Sequence, residues 1–239
     1  MIGVIGAMPE EIELIKKNMS EINTQTIGSM QYHIGKIYDE PVVLCLSGIG
    51  KANAAAAATI LIHVFKAQAL IFTGVAGGVQ PHLNIGDIVI GTDFLYHDFD
   101  AQALGYTISE IPDEKISLFP ANTFISEIVL EIARKAFGSH CIHYGRIISG
   151  DQFVADNEKI IFFREQFNAF AVDMESAAVA HIAYKNNIPC CIIRSVSDKA
   201  DSNASTTYDN FFVGAAQKSS YIVMQIIKQG DFRVLFNEL

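Results

Sequence analysis

The chain has 239 residues, 50% of them hydrophobic and 18% charged, enough to bury a sizeable core in an α/β domain. Its net charge of −9, from 17 Lys and Arg against 26 Asp and Glu, leaves no basic stripe for nucleic acid or an anionic membrane. The longest apolar stretches are broken by Asn53, His63 and Lys66, so no membrane span is expected.

In chain order, "MIGVIG" reads as a strand and "PEEIELIKKN" as a helix, with Pro9 in its first turn and Ile12, Ile15 and Met19 on its apolar face. "TQTIGSMQYHIGKI" reads as a hairpin that leads into the strand "PVVLCLSG", and "KANAAAAATILIHVF" as an alanine-rich helix suited to close packing. "ALIFTGVAGGV" and "GDIVIG" are strands; residues 101–121 form a long connection of the length at which loops tend to be functional or disordered. A helix over 123–137, the strand "CIHYGRIISG", the helix "DNEKIIFFREQF", the strand "AFAVDM", the helix "ESAAVAHIAYKN", the strand "PCCIIRSVS" and a long closing helix from "TTYDNFF" complete the chain. This alternation predicts one three-layer α/β/α domain with a central mixed sheet over residues 1–239, with 229–239 as a C-terminal extension.

Cys45, Cys141, Cys190 and Cys191 form no C-x-x-C pair, and the adjacent two inside "PCCIIRSV" read as small buried hydrophobes of a reducing compartment. No metal site is expected from them, and "YHDFD" (96–100) reads as a hydrogen-bonded strand end rather than a ligand cluster. A secretory signal would need a basic start, whereas acids arrive by residue 10; a cytoplasmic location is expected.

In open α/β sheets ligands bind at the carboxyl ends of strands. Six apolar strands here end in polar or glycine-rich segments: "GAMPEE", "SGIGKA", "TGVAGG", "SGDQF", "VDMES" and "RSVSDKAD". The first poses a puzzle. A strand, a glycine turn and a helix N-terminus make a natural anion site, yet Glu10 and Glu11 stand where a phosphate would fit. Glu11 also suits its helix dipole, Glu175 a helix start and Asp198 a turn, so each acid is weak evidence alone. Together, with Arg194 four residues before Asp198, they point to a shared polar pocket.

"GAMPEE", "SGIGKANAA", "TGVAGG", "GDIVIG", "SGDQFV", "AVDMESAAVAH" and "RSVSDKAD" occur in the order found in 5′-methylthioadenosine/S-adenosylhomocysteine nucleosidases, and the resemblance covers residues 1 to about 228. It implies a nucleoside phosphorylase-like fold, hydrolysis of the N-glycosidic bond of 5′-thioether adenine nucleosides with release of adenine, and no metal or other cofactor. It implies Glu11 as the general base toward water, Asp198 as the general acid toward adenine N7, Glu175 on the ribose hydroxyls and Arg194 beside the water. Met8, Ile49, Val75, Phe153, Val154, Met174, Ser197 and Tyr208 would bind substrate, Phe153 stacking on adenine, Val154 reading its edge through the backbone and Tyr208 closing the 5′ end. It further implies a homodimer in which Leu104, Tyr106 and Pro112 of the neighbouring subunit complete the pocket.

The acids now make sense. Two glutamates would repel phosphate but can polarise water, and the first arginine of the chain is Arg134, so the arginine clamp of the related phosphorylases is missing from the opening turn. Two departures stand out: Asp173 where glutamate is more usual, and Val75 where some members have serine. Competing readings are a 6-amino-6-deoxyfutalosine hydrolase, a phosphorylase and a catalytically inert nucleoside-binding or storage protein. A dinucleotide oxidoreductase is disfavoured because "GVIGAM" lacks the third glycine of G-x-G-x-x-G.

Overall fold

The apolar run at the start of the chain becomes β1 (Ile2–Gly6), buried at all 5 positions in a computed structural model that describes residues 1–229. β1 lies parallel between β4 (Glu40–Leu46) and β5 (Ala69–Gly78). A strand covered on both faces carries no polar alternation, as its sequence anticipates. The turn after β1 opens α1 (Pro9–Lys17), which buries Ile12 and Ile15, with Met19 buried just beyond it.

The expected hairpin is longer than its sequence suggests. β2 (Ser20–Ile27) and β3 (Met30–Ile37) continue into β4 as an antiparallel meander. β2 is an edge strand exposed along almost all of its length, so "SEIN" has no apolar face to announce it. α2 (Lys51–His63) follows β4, and β6 (Ile88–Tyr96) runs past Gly91 through a register shift before Phe94 that the short run "GDIVIG" does not disclose. At its end His97 N–H donates to Ser149 O at 2.9 Å, and Asp98 accepts from Lys51 Nζ at 2.7 and 2.6 Å, the hydrogen-bonded strand end expected of "YHDFD".

Within the 101–121 connection a two-residue strand, β7 (Phe119–Pro120), pairs with β6. α3 (Thr123–Phe137) has the bounds read from sequence, because both its stops are local. The Asn122 side chain accepts from Ile125 N–H at the start, and Gly138, at φ 88°, ends the helix. β8 (Ile142–Ser149), α4 (Asn157–Phe167), β9 (Ala171–Asp173), α5 (Ser176–Lys185), β10 (Cys190–Asp198) and α6 (Ala204–Gln229) complete the order. Of the expected 229–239 extension, all but Gln229 lies outside the described residues.

The sheet runs β10-β6-β8-β9-β5-β1-β4-β3-β2, with parallel and antiparallel pairs mixed as expected. It also closes on itself: β10 pairs with both β6 and β5, so β5, β10, β6, β8 and β9 form a ring. On one side α1, α3 and α6 cover the sheet through Ile12, Ile15, Ile125, Val129, Ile222 and Ile226. On the other, α2 and α5 pack through Ala54, Ala58, Leu61, Ala177 and Ala180, where small side chains let two helices approach the same strands closely. This is the α/β/α layering with a central mixed sheet. The carboxyl ends of β1, β5 and β10 open on one side, and β8 and β9 join them there. All four cysteines are buried, and among the described residues no helix is long and apolar enough to cross a membrane.

Candidate active site

The turn after β1 does bind an anion, and the anion is Glu11. Its Oε2 accepts from the N–H groups of Ala7 at 2.7 Å and Met8 at 3.0 Å, and its Oε1 from Val75 N–H on β5 at 3.1 Å. The donors that could cradle a phosphate are thereby filled by the carboxylate of the helix they open. Glu11 is 1% exposed, and burial raises its carboxyl above the ordinary value against the opposing pull of Arg194 and the three N–H donors. Val75, one of the two departures, serves through its backbone.

Arg194 reaches this turn from β10, far along the chain, and is 1% exposed. Its guanidinium stacks on the Phe72 ring, with Cζ 3.9 Å from the centroid. Nε donates to Asp173 Oδ2 at 2.7 Å, and Nη2 stands 3.9 Å from Glu175 Oε2 with no hydrogen-bond partner. Glu175 precedes α5 and accepts Gly50 N–H at 2.8 Å on Oε1, tying the turn before α2 to the site. Burial first, and the neighbouring Asp173 second, push its carboxyl up to about 7.

Asp198 ends β10 at a register shift that places Ser197 as the extra residue against β5. It is 2% exposed; Oδ1 accepts from Ala200 N–H at 2.7 Å and Oδ2 from the Ser197 hydroxyl at 2.9 Å. Burial raises this carboxyl too, the hydrogen bonds opposing.

These groups surround a cavity of about 110 Å³. Of the residues singled out in the sequence, Met8, Glu11, Ile49, Val75, Phe153, Val154, Met174, Glu175, Ser197, Asp198 and Tyr208 line it, and Arg194 lies directly behind. Tyr208, from α6, donates to Met8 Sδ at 3.3 Å and meets Phe153 edge-on, ring centroids 5.6 Å apart. Leu104, Tyr106 and Pro112 do not line this chain's own cavity, and Leu104 is 74% exposed.

Residues 1–228 match the phosphorylase superfamily. The 5′-methylthioadenosine/S-adenosylhomocysteine nucleosidase of Staphylococcus carnosus (strain TM300) is 37% identical over 229 residues, covering 95% of this chain and 99% of that protein. The chain belongs to the phosphorylase superfamily, among its 5′-methylthioadenosine/S-adenosylhomocysteine nucleosidases. The nucleosidase of Neisseria meningitidis, solved in complex with methylthio-immucillin-A, superposes at a TM-score of 0.91 with 38% identity, covering 95% of this chain and 98% of that one. The futalosine hydrolase of Helicobacter pylori strain 26695 superposes at 0.90 with 31% identity, covering 95% and 97%.

For this superfamily member, the residues that sequence reasoning passed over are mostly small. Ala7, Ala76, Gly77, Gln152, Val172 and Ala200 also line the cavity. Gly77 has a signal in "TGVAGG" whose meaning is spatial: a Cβ there would stand 3.1 Å from Asp198 Oδ1 and 2.9 Å from Ala200 Cβ. Asp173, noted only as a departure, proves to be a junction of hydrogen bonds.

Proposed function

We propose that this chain hydrolyses the N-glycosidic bond of adenine nucleosides bearing a 5′-thioether, 5′-methylthioadenosine and S-adenosylhomocysteine foremost and 5′-deoxyadenosine with them, releasing adenine. The observation that carries the reading is the gathering of Glu11, Glu175, Asp198 and Arg194 around one cavity, with Glu11 filling the anion position of the opening turn. Cleavage leaves an electron-poor, oxocarbenium-like ribose and places negative charge on adenine. Asp198, whose carboxyl burial shifts toward the protonated form, donates to N7 so that the base leaves neutral. Glu11, turned between three N–H donors and Arg194, takes the proton of the attacking water. Glu175 accepts from the ribose hydroxyls, and its charge stabilises the cation forming beside it.

Phosphate is the wrong nucleophile for this turn, because the amides that would hold it already hold a carboxylate. Although an arginine does reach the turn in space, Arg194 is flanked by Glu11, Asp173 and Glu175 and carries no spare positive charge for a phosphate. Phe153 and Val154 would form the adenine end, and Met8, Ile49, Val75, Met174, Ser197 and Tyr208 the ribose and thioether side. A second reading, hydrolysis of 6-amino-6-deoxyfutalosine, is favoured by the likeness to the Helicobacter pylori futalosine hydrolase and would use the same carboxylates.

The proposal includes a single domain acting in the cytoplasm as a homodimer without cofactor, nucleic-acid or membrane partners. Exposed apolar side chains that line the cavity, Ile49 at 52% and Phe153 at 46%, suit cover by Leu104, Tyr106 and Pro112 of a second copy. The test is adenine release from 5′-methylthioadenosine in phosphate-free buffer, repeated with phosphate. Rapid release without phosphate, yielding free methylthioribose, is expected. Release that demands phosphate would overturn the role of Glu11, and release from aminodeoxyfutalosine alone would install the second reading.

A further inference from the structure

Asp173 is buried at 8% exposure at the end of β9, and both of its oxygens are fully engaged. Oδ1 accepts from the Ser149 hydroxyl at 2.5 Å and from the N–H groups of Glu175 at 3.2 Å and Ser176 at 3.1 Å. Oδ2 accepts from Arg194 Nε at 2.7 Å and from the Ser176 hydroxyl. The end of β8, the start of α5 and the middle of β10 therefore converge on one carboxylate. Ser149 in turn accepts Ala177 N–H at 2.8 Å, so the two serines brace a side chain one methylene shorter than glutamate.

The consequence lies in what Asp173 leaves free. A desolvated guanidinium takes whatever carboxylate it can reach, because an unpaired buried charge is costly. Arg194 has Glu11 and Glu175 close by, and a tight pair with either would tie up a group needed for water or sugar. With Nε committed to Asp173 and the plane fixed on Phe72, Arg194 instead holds Nη2 3.9 Å from Glu175 with no hydrogen-bond partner. The same carboxylate fixes the backbone of Glu175 at the start of α5, so that its side chain spans to Gly50. We propose that Asp173 is a positioning residue for the reaction: through Arg194 and the N-terminus of α5, it keeps the Arg194 Nη2 donor and the Glu175 carboxylate available to the reacting water and the ribose. This rests on the hydrolase reading above.

The test compares Asp173→Asn, which keeps the shape and removes the charge, with Asp173→Glu, which restores it. Glu175 is faced by Asp173 from β9, Arg194 from β10, Glu11 from α1, Tyr208 from α6 and the Gly50 N–H. Removing the Asp173 charge lets Arg194 swing toward Glu175 and takes away a negative neighbour, and both changes favour the ionised Glu175. Asp173→Asn should keep a cooperative thermal transition, lower kcat on 5′-methylthioadenosine by about 10²-fold with little change in KM, and move the acid limb of kcat/KM to lower pH. Asp173→Glu should restore most of kcat and the wild-type acid limb. Wild-type kcat in Asp173→Asn, or a loss of rate that follows the unfolded fraction with the acid limb unmoved, would overturn the proposal.

A readout independent of turnover is the titration of Glu175 by carboxyl ¹³C NMR, assigned with Glu175→Gln. Asp173→Asn should move it to lower pH, and an unmoved titration sinks the positioning role. If that titration moves while the wild type releases no adenine from any nucleoside, the positioning of Glu175 stands and the hydrolase reading falls.

Discussion

The Glu11 carboxylate occupies the space that a side chain at residue 74 would need: a Cβ built on Gly74 would lie 2.5 Å from Glu11 Oε1, and 2.1 Å from Arg194 Nη1. Two charged groups from opposite ends of the chain meet over a bare stretch of β5 backbone. The close approach, rather than any turn, explains the first glycine of "TGVAGG".

Gly74→Ala follows directly. The atoms in the way are ends of side chains, so the chain should still fold, at an overpacking cost of roughly 1–3 kcal/mol. The groups that must move are Glu11 and Arg194, and adenine release should fall about 10²-fold. Thermal melting and steady-state kinetics on the same preparation check it. Near-wild-type turnover would mean that the placement of these two groups is not critical.

Asp198→Asn should keep the fold, because an amide oxygen still accepts from Ala200 N–H and its NH₂ can donate to Ser197 Oγ. It cannot deliver the proton that adenine requires, and kcat should drop by roughly 10²–10⁴-fold. Retained turnover would remove Asp198 from the acid role. Single-turnover adenine release measures it.

Glu11→Gln removes the proposed base and presents an NH₂ group to a surround of N–H donors, since each Glu11 oxygen accepts from backbone. A loss of roughly 10²–10⁴-fold in hydrolysis is expected. Unchanged hydrolysis would reduce Glu11 to a partner of its own helix N-terminus.

Glu175 makes the fold sensitive to pH. Its carboxyl sits at about 7 in the folded chain against an ordinary 4.5, so the folded state binds this proton more tightly than the unfolded one. The stability it contributes is complete below about pH 4 and is lost as pH rises through 7. Glu175→Gln removes that dependence while its amide oxygen can still accept Gly50 N–H. Relative to wild type it should gain stability between pH 5 and pH 8, by up to about 3 kcal/mol. Urea melts at the two pH values decide this, and an identical difference at both would mean that the Glu175 proton is not linked to folding.

Much of the architecture was legible because its signals are local. Apolar runs marked the buried strands, and α3 has its expected bounds, which the structure shows to be set by an asparagine cap and a glycine stop. The polar edge strand β2 started earlier than expected, and β6 ran longer, because exposure on one and a register shift in the other erase the period that sequence reading depends on. The three acids stood out through their place in recurring motifs, while the small residues around them carry no chemistry to notice.

By itself, then, the sequence determined the order of strand, turn and helix, the faces that are buried and the identity of the acids, since composition and periodicity are properties of neighbours along the chain. Only the tertiary structure decided that β10 joins β5 and β6 to close a ring, that Glu175 reaches back to Gly50, and that Glu11 seals the amides of its own turn. It also decided that an arginine far from the opening turn lies against it, held by Asp173. Those contacts, and the burial that raises the carboxyls of Glu11, Glu175 and Asp198, arise from packing between distant segments, which no local pattern encodes.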